Sequence, residues 1–295
     1  MHIAMTYTRL RTEERMLLDA FEHLGVQCTP IDLRTIVFNP LVPDEGGGQW
    51  GDCDAVIDRS VSLTNTLTSV RMLEHFGIRC INPLHAIEIC ADKLATTLAL
   101  VEAGVPTPEI RVATNAPSGL EAIEAIGYPA VIKPTVGSWG RLAARINDRD
   151  AAEAILEHRE ILGSVQQGVF YIQEHIDKPG RDIRVFVVGG EPIAAIMRSS
   201  EHWVTNTARG ATAQGMEITD ELRAISTNAA AATGADIVAV DLLECPSRGL
   251  LVNELNHSME FRNSTETTGV NIPEHVACHV VQIAQEARAE SEIAV

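Results

Sequence analysis

Val238-Ala-Val-Asp241-Leu-Leu-Glu-Cys245, then Pro246-Ser-Arg248, then Gly249-Leu-Leu-Val-Asn-Glu254-Leu-Asn256 is the stretch on which the fold turns. Two apolar runs flank a Pro/Ser/Gly turn, which is the pattern of a β-hairpin. Taking Pro246–Gly249 as the turn pairs Cys245 with Leu250. Asp241 then lies directly opposite Glu254, and Asn256, two residues on, shares their face. Opposed residues stand about 5 Å apart at Cβ, where like charges repel. A divalent cation between the two carboxylates would remove that cost, and hard oxygen donors on few ligands suit Mg²⁺ shared with nucleotide phosphates. Taken alone, the same pair reads equally well as two solvated acids on an exposed sheet face.

Working outward, the other hairpins expected are Ala130–Lys133 with Leu142–Ile146, and Arg184–Val188 with Ile193–Met197, beside a strand at Tyr171–His175. Helices at about 149–161 and 219–233 interleave with them, and a last helix covers about 273–287. This is an α+β arrangement. The N-terminal part differs. A strand at His2–Tyr7, a helix capped by Thr12, a strand at Gln27–Leu33, a strand at Ala55–Ser60, a helix ending near Gly77 and a strand at Ile78–Ile81 alternate as in a doubly wound parallel sheet. The stretch Pro43–Gly51 is a loop. Asn82-Pro83 marks a boundary. Two helices follow, at about 83–89 and 92–103, the second burying Leu94, Leu98 and Val101.

The composition excludes several classes. At 45% apolar, 295 residues can bury a real core. The net charge of −17 argues against a nucleic-acid partner, which needs a basic footprint. No run nears the ~18 apolar residues of a membrane span, and the N-terminus lacks a signal peptide's pattern, so the expectation is a cytoplasmic protein. The six cysteines form no C-x-x-C pair and read as buried or incidental thiols. No G-x-G-x-x-G follows the first strand, which disfavours a dinucleotide-dependent dehydrogenase.

Only Lys93, Lys133 and Lys178 are lysines. In so lysine-poor a chain, Lys93 at a helix start and Lys133 at the end of an apolar strand broken by Pro134 point to sites that want an ammonium. The loop Thr135-Val-Gly137-Ser138-Trp139-Gly140-Arg141 offers small residues and backbone N–H groups that can close over phosphates, although Gly-x-x-Gly also occurs in ordinary hairpins. Gln173-Glu174-His175 ends a strand, either as a plain exit to the surface or as an adenosine contact. Arg181, Asp182, Arg184 and Arg198 border one hairpin, and the long polar segment Ser199–Gly210 follows. Arginines there can neutralise a carboxylate or phosphate, or simply form surface ion pairs.

In order, Asp92-Lys93, Val-Ile-Lys133-Pro, the glycine loop, Gln173-Glu174, Asp241 and Glu254-x-Asn256 resemble the ATP-grasp superfamily over the whole chain. The strings Gly137-Ser-Trp-Gly-Arg141, Lys178-Pro-Gly-Arg-Asp-Ile-Arg-Val-Phe-Val-Val, Thr205-Asn-Thr-Ala-Arg-Gly210 and Asn256-His-Ser-Met-Glu-Phe261 resemble more narrowly the LysX/ArgX ligases. That resemblance implies an ATP-grasp fold with a Rossmann-like pre-ATP-grasp domain (1–85), a central lid subdomain (86–175) and a C-terminal subdomain carrying the metal and substrate site (176–295). It implies ATP and Mg²⁺ as cofactors, and the acidic carrier protein LysW and an amino acid as partners. The carrier's terminal glutamate side-chain carboxylate would be phosphorylated, and the amino acid's α-amine would attack the acyl phosphate. A homodimer or tetramer is implied too.

On this mapping Lys93, Lys133, Gly137, Ser138, Trp139, Gly140, Arg141, Gln173, Glu174, His175, Arg181, Asp182 and Asn206 hold the nucleotide, and Asp241, Glu254 and Asn256 the metal. Arg198 and Arg209 face the phosphoryl group. Arg198, Thr207, His257, Ser258, Met259, Glu260, Phe261, Asn263 and Ser264 face substrate. The Asn263-Ser264 pair implies α-aminoadipate, with glutamate or dual use open because one methylene is worth only ~1–3 kcal/mol in a pocket. Because carrier and chain are both acidic, an arginine patch from Arg181, Arg184, Arg198 and Arg209 is expected at the mouth. Rival readings are a same-fold enzyme adding glutamate to a protein tail or a pterin, and a non-catalytic nucleotide-binding regulator.

Overall fold

Strands β1 (His2–Tyr7), β2 (Gln27–Asp32), β3 (Ala55–Asp58) and β4 (Cys80–Ile81) form an all-parallel sheet in the order β2-β1-β3-β4, in a computed structural model describing residues 1–42, 50–137, 140–164, 168–205 and 210–293. Helices α1 (Thr12–His23) and α2 (Leu63–His75) are the crossovers. Ile3, Ala4 and Met5 are all buried, as a parallel strand covered on both faces requires. The cap of α1 is Arg11, not Thr12: the Glu14 carboxylate accepts the Arg11 backbone N–H at 2.8 Å and its Nε–H at 3.0 Å. A glutamate three residues into the helix wins that position.

Helices α3 (Leu84–Ala91) and α4 (Lys93–Glu102) follow. Asp92 caps α4, its Oδ1 accepting the N–H groups of Leu94 and Ala95. The expected apolar face of α4 is corrected: Leu98 is 53% and Val101 60% exposed, while Thr96, Thr97 and Leu100 are buried. The threonines turn inward because each hydroxyl finds a partner. Thr97 Oγ1 meets the Tyr171 hydroxyl at 2.8 Å, and Thr96 Oγ1 donates to the Ile89 carbonyl at 2.7 Å.

A four-stranded antiparallel sheet comes next. It contains β5 (Ile110–Ala113), β6 (Ala130–Lys133), β7 (Ala144–Ile146) and β8 (Phe170–Glu174) in the order β5-β8-β6-β7. Helices α5 (Ala116–Ile126) and α6 (Arg149–Leu162) back it through Ile123 and Leu156. Strand β5 was not anticipated; only Ala113 of its four residues is buried, so it carries no strong alternation.

The remaining chain forms a five-stranded antiparallel sheet of β9 (Arg181–Val188), β10 (Glu191–Ser199), β11 (Thr212–Met216), β12 (Ile237–Cys245) and β13 (Gly249–Asn256), ordered β11-β10-β9-β12-β13. Strand β11 and the short α8 (Arg262–Thr268) were also unanticipated. One face packs on α7 (Asp220–Thr233) through Leu222, Ile225 and Ala229. The other face joins the first sheet and α9 (Ile272–Ile293) in one core containing Met5, Phe21, Phe186, Phe261 and Val276. Asn82 pins the two sheets together. Its Nδ2 donates to the carbonyls of Ile237 (2.7 Å) and His257 (2.9 Å), and its Oδ1 accepts from Ile237 N (2.8 Å). Among the described residues no helix is long and apolar enough to cross a membrane.

Candidate active site

The hairpin β12–β13 pairs Asp241 with Glu254 and Ala239 with Asn256, the register the sequence predicts. It reaches that register by another route. Cys245 pairs with Gly249, not Leu250, so the turn is one residue shorter, and the ladder shifts back by one at Asn253, which bulges between Val252 and Glu254. The two differences cancel.

The electrostatics at Asp241 differ from the expectation that a cation must separate it from Glu254. Asp241 is 3% exposed and lies opposite Arg184 of β9, whose Nε and Nη2 each donate to it at 2.7 Å. Arg198, at 4% side-chain exposure, adds an Nη2 contact at 3.2 Å and spends its Nε on Asp182 at 2.6 Å. Burial alone would raise the Asp241 carboxyl; the two guanidiniums reverse this and hold it well below the usual carboxylate range. Asp182 in turn accepts the Thr205 hydroxyl and sits 3.7 Å from Lys178 Nζ.

The donor set fits a hard divalent cation in part. A carboxylate has about four acceptor directions. Arg184 fills two at Asp241, Arg198 a third, and Asn256 Nδ2, at 3.4 Å, faces the last. Glu254 accepts no hydrogen bond from the described residues and is open to the site. Glu254 and the Asn256 amide oxygen would therefore be the available ligands for such an ion, whereas the acceptor directions of Asp241 are taken by Arg184, Arg198 and Asn256. Among the described residues no three His, Cys, Asp or Glu side chains cluster as a closed metal cage, which suits an ion held partly by phosphates and water.

Lys133 ends β6, where its Nζ donates to Gln173 Oε1 at 2.9 Å and Asn253 Oδ1 at 3.0 Å. Burial pushes its ammonium down to about 8. Lys93 Nζ donates to the Gly137 carbonyl at 2.6 Å, and its backbone N–H to the Thr135 carbonyl at 2.8 Å, so the start of α4 is stitched to the start of the glycine loop. Asn253 is a site residue that the sequence reading missed. Strict alternation along β13 would turn it away from Glu254, and its one signal is two adjacent polar residues inside an alternating strand.

Two pockets meet here, sharing Lys93, Gly137, Asn253 and Glu254. The first is walled by Val131, Ile176 and Leu243, and includes Lys133, Gly140, Arg141, Gln173, His175 and Arg198. Glu174 lines it too, but its Oε1 is engaged by the Glu109 N–H at 2.5 Å and by Arg248. Its Oε1 thus ties β8 to neighbouring chain, which leaves Oε2 as the oxygen that can face the pocket. Arg181 lines neither pocket; it pairs with Glu244 at 2.6 and 2.8 Å.

The second pocket opens at the carboxyl ends of the parallel strands, where α/β sheets bind ligands. Arg11, Ser60 and Thr66 line one wall, and Asn256, His257, Ser258 and Glu260 the other. Arg11, Ser60 and Thr66 were absent from the expected set, although the strand-end rule could have found them. Met259 and Phe261, expected to face substrate, are fully buried in the shared core. His257, Ser258 and Glu260 face the pocket while Met259 and Phe261 turn into the core. Burial pushes His257 down to about 4. Asn263 is exposed and Ser264 buried on α8; neither lines a pocket.

Of the expected arginine patch, Arg198 is buried and Arg184 half-buried in ion pairs, each lining one of the two pockets, and Arg181 is paired at the surface. The expected contacts Ser138, Trp139, Asn206, Thr207 and Arg209, and most of the Pro43–Gly51 loop, lie outside the described residues.

Residues 3–89 match the model of the LysX preATP-grasp domain, and residues 90–280 that of the RimK-like ATP-grasp domain. The chain is 32% identical to the glutamate–LysW ligase ArgX of Sulfurisphaera tokodaii, over 95% of this chain and 98% of that one. It is 34% identical to the alpha-aminoadipate–LysW ligase LysX of Saccharolobus solfataricus, over 89% and 94%. A RimK domain ATP-grasp protein from Sphaerobacter thermophilus has a similar crystal structure, with a TM-score of 0.79 at 26% identity, over 95% of this chain and 99% of that one.

Proposed function

Because this chain belongs to the RimK-like ATP-grasp ligases and carries their LysX-type pre-ATP-grasp domain, we propose that it joins the α-amine of α-aminoadipate to the terminal glutamate side chain of a LysW-type carrier protein. Ligases of this family use ATP with Mg²⁺ to join a carboxylate to an amine. The observation that carries the reading is the meeting of two pockets at Glu254 and Lys93, one lysine-lined with apolar walls and one opening between the two sheets.

In this reading Val131, Ile176 and Leu243 sandwich the adenine, and residues 86–175 act as the lid. Lys93 and Lys133 hold phosphates. Glu254 and Asn256, joined by Asp241, hold Mg²⁺, which when bound offsets phosphate charge. The carrier carboxylate takes the γ-phosphoryl group, and the α-amine displaces phosphate from the acyl phosphate. Arg209 neutralises the charge that develops, Arg198 contributes through the Nη2 contact it shares with Asp241, and the work is positioning plus electrostatics. His257, Ser258 and Glu260 line the amino acid's side. The Asn263-Ser264 pair, which lines neither pocket, favours α-aminoadipate through its resemblance alone; the similarity to a glutamate–LysW ligase keeps glutamate as the second reading. A cytoplasmic site fits ATP-dependent biosynthesis.

The test is the mass of a LysW-type carrier after incubation with enzyme, Mg·ATP and either amino acid. Addition of one aminoadipyl group with stoichiometric ADP is expected. Addition of glutamate alone would transfer the assignment to the second reading, and no ADP release with any amine would sink both.

A further inference from the structure

Asn253 is the extra residue of the β13 bulge, and its position has a reason. On either side of it β13 is held. Val252 donates its N–H to the Pro106 carbonyl at 2.8 Å and accepts from the Thr107 hydroxyl at 3.0 Å, while Glu254 stays in register with Asp241. The bulge turns the Asn253 amide off the ladder toward the four-stranded sheet. There its Oδ1 accepts from Lys133 Nζ at 3.0 Å and from Gln173 Nε2 at 3.2 Å, while Gln173 Oε1 accepts from Lys133 Nζ at 2.9 Å. Lys133 and Gln173 are diagonal neighbours on β6 and β8, on the same face; Asn253 comes from the other sheet.

The three groups close a ring. Two of the three ammonium donors are held by neutral amide oxygens, which orient the lysine without cancelling its charge. Arg184 and Arg198 are treated differently, since both are neutralised by carboxylates.

We infer that Asn253 is a positioning residue for nucleotide binding: it fixes the Lys133 ammonium at a set distance from Glu254, so that one bulge orients both the phosphate lysine and the metal carboxylate. This inference rests on the reading of Lys133 as a phosphate contact.

The test measures Mg·ADP binding by calorimetry, and kcat and KM, for wild type, Asn253→Ala and Asn253→Asp. A hydrogen bond to a charged group is worth about a factor of ten or more. Asn253→Ala is expected to weaken Mg·ADP about tenfold and raise KM for ATP by a similar factor. Asn253→Asp keeps both acceptor contacts but puts a carboxylate on Lys133. It too weakens Mg·ADP, and it moves to higher pH the point at which nucleotide affinity begins to fall. The other charges facing Lys133 are Glu254, Asp241, Lys93 and Lys178, which the substitution leaves alone. Wild-type Mg·ADP affinity in Asn253→Ala overturns the inference. So does an unmoved pH profile in the near-isosteric Asn253→Asp, which decides the matter if the alanine variant fails to fold. Wild-type protein that binds no Mg·ADP sinks the ligase reading as well.

Discussion

Asp241 and Glu254 face each other across one ladder, yet their removal has unequal consequences for stability. Asp241 is clasped by Arg184 at 2.7 Å through two donors and by Arg198 at 3.2 Å, with side-chain exposures of 13% and 4% for the two arginines. Asp241→Asn removes the negative charge from between one buried and one half-buried cation. Breaking a buried ion pair from one side costs about 3–5 kcal/mol. That is a large share of the ~5–15 kcal/mol that holds a typical protein folded, and corresponds to roughly 5–15 °C in Tm. Glu254→Gln deletes a carboxylate that accepts no hydrogen bond from the described residues; it relieves repulsion with Asp241 but also takes a negative charge away from Lys133 and Arg198. These effects oppose, so metal-free stability is expected to change little, while Mg·ATP turnover is abolished. The assay is thermal and urea unfolding of both variants in EDTA, beside Mg·ADP binding. If metal-free Asp241→Asn melts within a degree of wild type, or above it, the arginine clasp does not carry the charge of Asp241. The pH dependence has a defined sign. Because the folded pKa of Asp241 is depressed, its contribution is complete above the unfolded aspartate value of about 4 and is lost as pH falls through the lower folded value.

Other outcomes follow from the same geometry. Burial pushes Lys133 down to about 8, so KM for ATP is expected to climb above that pH, by up to about tenfold per unit. A KM that stays flat from pH 7 to about 9.5 would remove Lys133 from the phosphate site. The same depression means that metal-free stability gains as pH rises between the folded value and the unfolded one of about 10.4. Glu14 is fully buried between Arg11 and Arg59, at 2.8 and 3.2 Å, so Glu14→Gln should cost about 3–5 kcal/mol in chemical denaturation. Phe261→Ala, beneath the Arg59 guanidinium at 5.7 Å, should cost about 3–5 kcal/mol while leaving the amino-acid KM of the folded fraction unchanged. A KM change without a stability loss would return Phe261 to the substrate wall.

The hairpin was legible because its information is local. Alternation, a Pro/Ser/Gly turn and two carboxylates at matched offsets mark a hairpin, and the pairing of Asp241 with Glu254 was reached because the shorter turn and the Asn253 bulge, which no alternation reveals, cancel. Lys133 was legible for a similar reason, as an ammonium at the end of an apolar strand stopped by Pro134. The doubly wound N-terminal sheet came from the alternation of strand and helix lengths. Strand β5 and helix α8 were not legible, since neither carries an apolar period of its own; each is ordered by what it packs against. The inward turn of Thr96 and Thr97 was hidden because a threonine is buried only if its hydroxyl finds a partner, and Tyr171 is 74 residues from Thr97.

By itself, then, the sequence determined the family, most of the order of the elements, the hairpin that sets Asp241 against Glu254 and the two lysines that border the pockets, because those depend on residue type and spacing along one strand or helix. The tertiary structure alone decided which of these groups are free. It set Arg184 against Asp241 across β9, 57 residues away, and closed Asn253 and Gln173 around Lys133 from two different sheets. It drew Met259 and Phe261 into the core and left Ser258 and Glu260 lining the pocket. Charge compensation and burial are set by neighbours that meet only when the sheets pack, so no spacing along the chain records them.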